Sequence, residues 1–358
     1  MPPTPSDVPS TARTPLRITA LAGGIGGARF LRGLLHALGE PVARADEANR
    51  ADEAPGADEV TVIGNTADDL TLHGLRVCPD LDTVMYTLGG GIHEGQGWGR
   101  AQETFTVAEE FKAYAASPDW FTLGDRDIAT HIVRTRLLGQ GHSLSEVTAL
   151  LCQRWQPGVR LLPMSDDRVE THVVIDDPAP DGGPAGGARA IHFQEWWVRL
   201  HAAVPARRIL ALGIEASRPA PGVLEAIRDA DVVLLPPSNP VVSIGTILGV
   251  PGIRDALRET AAPVVGVSPI IAGHPVRGMA DACLTAIGLP TTAEAVAGLY
   301  ADFLGGWLVD DADAASRPPA GSDMVISARP LLMTDIEASA AIARAALELA
   351  DRIRAGRA

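Results

Sequence analysis

Leu16-Arg17-Ile18-Thr19-Ala20-Leu21-Ala22-Gly23-Gly24-Ile25-Gly26-Gly27-Ala28-Arg29-Phe30-Leu31 joins an apolar run, a glycine cluster and the start of a helical repeat. Leu16 to Ala22 reads as a strand. From about Ala28 to Leu38, Phe30, Leu31, Leu34, Leu35 and Leu38 recur at helical spacing, and Gly39 is a stop signal. Strand, glycine loop and helix together open a Rossmann-like unit. Glycines allow positive φ and close backbone approach. The N-terminus of a helix offers unpaired N–H groups and partial positive charge to an anion. Gly23, Gly24, Gly26 and Gly27 are therefore candidates to hold a phosphate, with Arg29 adding a cation. The spacing is neither a strict G-x-G-x-x-G nor a Walker loop with Gly-Lys-Ser/Thr, so a tight structural turn is the competing reading.

Outward from this unit, Val60 to Ile63 forms a second apolar strand. Short runs at Ile209–Leu212, Val232–Leu235 and Val264–Val267 read as parallel-type strands, with helical patterns at 222–229 and 252–259 between them. Met324–Ser327 is a further strand, and Ile336–Ala355 the last helix. This alternation predicts an α/β fold: a Rossmann-like, mainly parallel sheet flanked by helices. Residues 80–160 are mostly helical in pattern, over Glu103–Ala115, Ile128–Leu138 and Leu144–Trp155, where Ser143 and Glu146 make a capping box. They predict a helical subdomain inserted after the second strand. Thr171–Ile175 and Arg189–Phe193 read as a hairpin across the Gly/Pro-rich Pro178–Gly187. Met1–Pro15 reads as a disordered tail, Glu40–Glu59 as a solvated insertion, and residues 16–358 as one domain.

Composition narrows the function classes. The 358 residues are 46% hydrophobic and 21% charged, as in a globular enzyme. A net charge of −14 argues against nucleic acid or an anionic membrane as partner, though not against a small nucleotide. Lys112 is the single lysine. Cys78, Cys152 and Cys283 show no CxxC spacing, which disfavours disulfides and structural zinc. No apolar run reaches membrane-spanning length, and the N-terminus lacks the apolar core of a signal peptide, so a cytoplasmic protein is expected.

Polar clusters fall where strands should end, the usual crevice of an open α/β sheet. Asn65-Thr66-Ala67-Asp68-Asp69 follows the second strand, and paired carboxylates there suit Mg²⁺, which favours hard oxygens and phosphate partners. A helix cap or solvated turn is the alternative. In Cys78-Pro79-Asp80-Leu81-Asp82, residues two apart point different ways on a helix, so only one of Asp80 and Asp82 should reach a metal; a cap on a helix starting near Thr83 is the competing reading. Thr130, His131 and Arg134 share one helix face, either as a donor-rich ligand surface or as a buried salt-bridge cluster. Ser238, Asn239 and Ser243 lie after the 232–235 strand and offer hydrogen bonds to a base or phosphate, unless Asn-Pro is plain turn punctuation.

Together these segments resemble the 2-phospho-L-lactate transferase family of coenzyme F420 biosynthesis. The resemblance rests on Ala22–Leu31, Pro79–Tyr86, Leu123–Asp127 with Ala129–His131, Leu162–Asp167, Ile191–Trp197, Pro237–Gly245 and Ser268–Gly273, in the family's order. It implies transfer from a guanosine diphosphate conjugate to the ribityl hydroxyl of the deazaflavin Fo, with release of GMP. The conjugate carries lactate in archaeal members and enolpyruvate in actinobacterial ones. The stretches Trp120–Asp125 and Cys78–Thr83 are closer to the actinobacterial branch, giving dehydro-F420-0. By the same resemblance Asp69 and Asp82 hold Mg²⁺, with Asp68 as a substitute, and the glycine loop holds the diphosphate. Asn239, Ser243 and nearby backbone hold guanosine, Thr130, His131 and Arg134 line the Fo pocket, and a homodimer is expected. Thr122 stands where the archaeal pattern has a lysine, so a contact made by that lysine is not carried over.

Two competitors have their own signatures. A non-catalytic sugar-nucleotide-binding regulator of the same superfamily would share the glycine loop and acidic turn, but not Asp-Leu-Asp-Thr or Leu-Gly-Asp-Arg-Asp. An NAD-dependent dehydrogenase would need an acid at the end of the second strand, where this chain has Gly64-Asn65-Thr66.

Overall fold

A computed structural model describes residues 15–39, 58–176 and 187–357. The expected N-terminal tail, most of the 40–59 insertion and nearly all of the 178–187 connection lie outside the described residues. The chain order begins β1 (Arg17–Ala22), α1 (Gly24–Ala37), β2 (Glu59–Gly64), β3 (Leu70–Leu72), β4 (Leu75–Val77) and α2 (Pro79–Leu88). It continues with α3 (Thr106–Ala113), α4 (Asp125–Gly139), α5 (Leu144–Trp155), β5 (Arg160–Pro163), β6 (Glu170–Asp176), β7 (Ala188–His192) and β8 (Ala206–Leu212). Next come α6 (Val223–Arg228), β9 (Val232–Leu235), α7 (Ile244–Gly249), α8 (Ile253–Glu259), β10 (Val264–Val267), β11 (Ile270–Ile271) and β12 (His274–Pro275). The last elements are α9 (Ala280–Ala286), α10 (Ala293–Gly298), β13 (Gly306–Val309), β14 (Val325–Ala328) and α11 (Ile336–Arg357).

Seven strands form one parallel sheet in the order β14-β13-β10-β9-β1-β2-β5. The chain steps from β1 outward to β2 and β5, then returns to β9 on the other side of β1. The order therefore reverses between β1 and β9, which opens a crevice at their carboxyl ends. Side chains alternate across β1: Ile18, Ala20 and Ala22 pack under α1, α2, α5 and α11, while Leu21 joins the core beneath α6, α7, α8 and α10. Burial on both faces explains why these strands read as apolar runs.

The helical block expected after β2 is present as α2 to α5. Of these, α2 and α5 complete the first core, and Ser143 with Glu146 makes the expected capping box on α5. The hairpin expectation holds, since β6 and β7 pair antiparallel. One strand is corrected. Ile209–Leu212 belongs to β8, which pairs antiparallel with β6 in a separate three-stranded sheet. Its residues are half-buried or exposed, so its short apolar run is a one-sided strand and not part of the doubly covered sheet. The hairpin β3–β4 turns on His73 and Gly74, both at positive φ (48° and 79°), as a two-residue primed turn requires.

Candidate active site

The glycine stretch is itself the first turn of α1, which begins at Gly24 and not near Ala28. Gly23 occupies the cap position and supplies no side chain, and no acidic residue lies in the helix's first turn. Close approach explains the glycines. A Cβ on Gly26 would stand 2.4 Å from the Pro237 carbonyl oxygen, and one on Gly27 2.7 Å from Ser238 Oγ. A Cβ on Gly23 would meet both Asp80 Oδ2 and Ser243 Cβ at 2.6 Å. The loop after β9 is thus pressed against the turn after β1. Ser238 fastens the two, its Oγ accepting from Gly23 N–H at 3.0 Å and donating to Gly23 O at 2.8 Å. Asn239 is engaged within its own loop, Oδ1 accepting from the N–H groups of Val241 (2.9 Å) and Val242 (3.2 Å).

Four buried carboxylates line the floor, and they divide into two kinds. Asp69, fully buried, accepts from Arg76 Nη2 at 3.2 Å. Asp82 is gripped by both terminal nitrogens of the buried Arg134, one at 3.0 Å from Oδ2 and the other on Oδ1. Arg134 also lies 3.1 Å from His131 Nδ1. On the far side of that ring, Asp127 accepts from Tyr86 O–H at 2.7 Å. Thr130, His131 and Arg134 come together as the sequence spacing requires, and all are buried among protein groups.

Asp68 and Asp80 have no such cation. Asn65 Nδ2 donates to Asp80 Oδ2 at 2.9 Å, while Asn65 Oδ1 accepts from Ala67 N–H at 3.0 Å and Thr246 Oγ1 at 2.7 Å. Burial raises the Asp80 pKa to about 6, against the opposing hydrogen bonds from Asn65 and the Gly24 N–H. Asp68 is pushed well above the usual carboxylate range, by burial first and then by the neighbouring charge of Asp80. Asp68 Oδ1 is buried without a hydrogen-bond partner. Burial also raises Asp69, to about 7, against the pull of Arg76.

The helix rule for Asp80 and Asp82 is met, with a twist in the assignment: α2 begins at Pro79 with Cys78 as its cap, so neither carboxylate caps it. Asp80 faces the glycine turn, and Asp82 faces away toward Arg134. Arg76 is a candidate site residue that the sequence reading does not single out, and Asn65 opens the acidic turn quoted there without a role of its own. Arg76 lies in β4 of the β3–β4 hairpin, and alternation around His73-Gly74 is the signal that could have placed it. Among the described residues, no group of three or more His, Cys, Asp or Glu side chains forms a ready-made metal cage. None of their helices is long and apolar enough to cross a membrane.

The family pattern described as "2-phospho-L-lactate transferase CofD" matches residues 18–324. A "Phosphoenolpyruvate transferase" of Kitasatospora aureofaciens is 61% identical over 343 residues, covering 95% of this chain and all (100%) of that protein. Its namesake in Thermobifida fusca is 61% identical, covering 94% and 98%. That of Mycolicibacterium smegmatis is 53% identical, covering 94% and 99%. In fold, the chain is similar to the crystal structure of a UPF0052 family protein from Bacillus halodurans, with a TM-score of 0.55 at 15% identity, covering 94% of this chain and 99% of that one.

Proposed function

We propose that this chain, which belongs to the 2-phospho-L-lactate transferase CofD family, passes a phosphoenolpyruvyl group from a guanosine diphosphate conjugate to the ribityl hydroxyl of the deazaflavin Fo. As a member of that family it is a transferase of coenzyme F420 biosynthesis. The names of its relatives favour enolpyruvate over 2-phospho-L-lactate as the transferred acid. The observation that carries the reading is the uncompensated Asp68–Asp80 pair facing the bare N-terminus of α1 at the switch point of the sheet.

In the proposed reaction the ribityl oxygen bonds to the distal phosphorus, the bond from that phosphorus to the bridging oxygen breaks, and GMP leaves with the electron pair. The hydroxyl proton passes to solvent or to a basic group. Such a transfer depends mainly on positioning and charge neutralisation. Backbone N–H groups of Ile25 and Gly26, in the first turn of α1, hold diphosphate oxygens. Asp68 and Asp80 fit a hard divalent cation: both are oxygen donors and both lack a cationic partner, while Asp68 Oδ1, like Asp69 Oδ1, is buried with no hydrogen-bond partner. When bound there, Mg²⁺ neutralises charge on the phosphate oxygens. The sequence reading favoured Asp69 and Asp82 as ligands; with each held by an arginine, their proposed part is to fix the floor. Pairing Asp82 with Arg134 sets the rotation of α2 and so aims Asp80 at the glycine turn. Thr130, His131 and Arg134 support the Fo side from below. Because Ser238 and Asn239 use their side chains within the protein, the proposed guanosine contacts fall to backbone groups of the 237–243 loop. A cytoplasmic homodimer completes the proposal.

The test is incubation with Fo, the guanylated enolpyruvate donor and Mg²⁺, reading GMP by chromatography and the product by mass. The guanylated lactate donor is run in parallel. Absence of GMP from folded, donor-bound protein refutes the transferase reading, and faster turnover of the lactate donor refutes the choice of enolpyruvate.

A further inference from the structure

Two cations near the glycine turn are left over once the floor is accounted for. Arg29 stands in the second turn of α1, and Arg277 follows β12, far away in sequence. The tertiary fold brings them to one place. A Cβ on Gly97 would lie 2.7 Å from Arg277 Nη1 and 2.9 Å from Ile25 Cγ2, so the Arg277 guanidinium reaches the loop that rests on the first turn of α1. Among the described residues, neither arginine makes a hydrogen bond or ion pair. The nearby Glu94 is taken by Arg32, at 2.5 Å. Burial lowers the Arg29 pKa, and the neighbouring charges of Arg277 and Arg32 lower it further against a smaller pull from Glu94. The protein therefore keeps two like charges together without a hydrogen-bonded counter-ion, Glu94 being engaged by Arg32, beside helix N–H groups that also attract anions.

We infer that Arg29 and Arg277 form a clamp for an oxyanion at the reacting end of the donor, with Arg277 as the member that closes from the β12 segment. The inference rests on the transferase reading for the identity of that donor. The chemistry that fits is a phosphate oxygen or the carboxylate of the transferred acid. A guanosine diphosphate ester of a carboxylic acid carries several negative charges. The Asp68–Asp80 pair adds more on the floor side, so cations are needed on the opposite rim.

The test uses the full-length protein with Mg²⁺ and two probes, GDP and phosphoenolpyruvate, in calorimetric titrations of wild type, Arg29→Gln, Arg277→Gln and Arg277→Lys. Steady-state donor kinetics run alongside. Losing one charge-assisted contact should weaken binding or raise the donor KM about tenfold to a hundredfold. Arg277→Lys should recover part of the loss, and Arg277→Gln should melt like wild type because the side chain is exposed and unpaired. Loss toward GDP places the clamp on phosphate. Loss toward phosphoenolpyruvate alone places it on the carboxylate. Unchanged binding of both probes and an unchanged donor KM in Arg277→Gln overturns the inference, even with GMP release intact. Arginine-dependent GDP binding without any GMP release sinks the transferase reading and leaves the clamp standing.

Discussion

Arg134→Met is the most informative single change to the floor. Arg134 is 1% exposed, and its guanidinium is the cation that neutralises Asp82, itself 5% exposed. Methionine preserves much of the stem's packing but leaves a carboxylate buried without its cation. Breaking such a pair by removing one partner costs roughly 3–5 kcal/mol. Asp82 lies in the first turn of α2, where the helix dipole recovers a fraction, so the lower end, about 3 kcal/mol, is expected. For 358 residues at about 2.1 cal/mol/K each, the unfolding entropy is about 0.75 kcal/mol/K, and the melting temperature should fall by about 4 °C. Thermal melts and urea titrations of Arg134→Met, Asp82→Asn and the double variant measure the coupling directly. The double variant should lose at least about 2 kcal/mol less than the sum of the singles. Strict additivity, or an Arg134→Met protein that melts like wild type, would refute the claim that this pair is a desolvated anchor.

The other carboxylate of α2 should behave in the opposite way. Asp80→Asn removes charge repulsion with Asp68, so stability should change by no more than about 1 kcal/mol, while GMP release falls at least about a hundredfold and needs more Mg²⁺; melting and Mg²⁺ titration of turnover separate the two. Gly26→Ala and Gly33→Ala both force a Cβ to 2.4 Å from a backbone atom, of Pro237 and Ser339 respectively. Both should destabilise, but the donor KM should rise for Gly26→Ala alone, because Gly33 packs against α11 and not the site. Burial raises the Asp127 pKa, but His131 and Tyr86 more than offset it and hold the carboxyl below its ordinary value. The stabilisation from Asp127 is then complete above about pH 4 and lost as pH falls through the depressed folded value. Tyr86→Phe should bring the onset of acid unfolding to higher pH, as followed by melting across an acid pH series.

Local chemistry made much of the fold readable. The Ser143–Glu146 cap and the period of α5 act within a few residues and are present as read, while the glycine run follows its apolar strand but forms the first turn of α1 instead of a loop before it. The misses share a cause. β5 and β13 are as short as β9 and β10 but include Pro163 or Gly306 and lack the paired valines that make those two legible. β8 was placed in the wrong sheet because strand direction depends on the partner and not on the strand's own residues. In the site, the sequence marks Asp68, Asp69, Asp80 and Asp82, and the resemblance ranks Asp69 and Asp82 first; which of the four carry an arginine partner shows only in the structure.

That pairing is the dividing line. The chain alone determines that a glycine-capped helix follows an apolar strand, and that acids follow the next strand, because backbone freedom and hydrophobic period are local properties. Rotation of α2, the hairpin that carries Arg76, and the loop that brings Arg277 to Gly97 are set by packing between distant segments. Those contacts decide which carboxylates receive a cation. The proposed anion site at the glycine turn rests on Asp68 and Asp80, the two that do not.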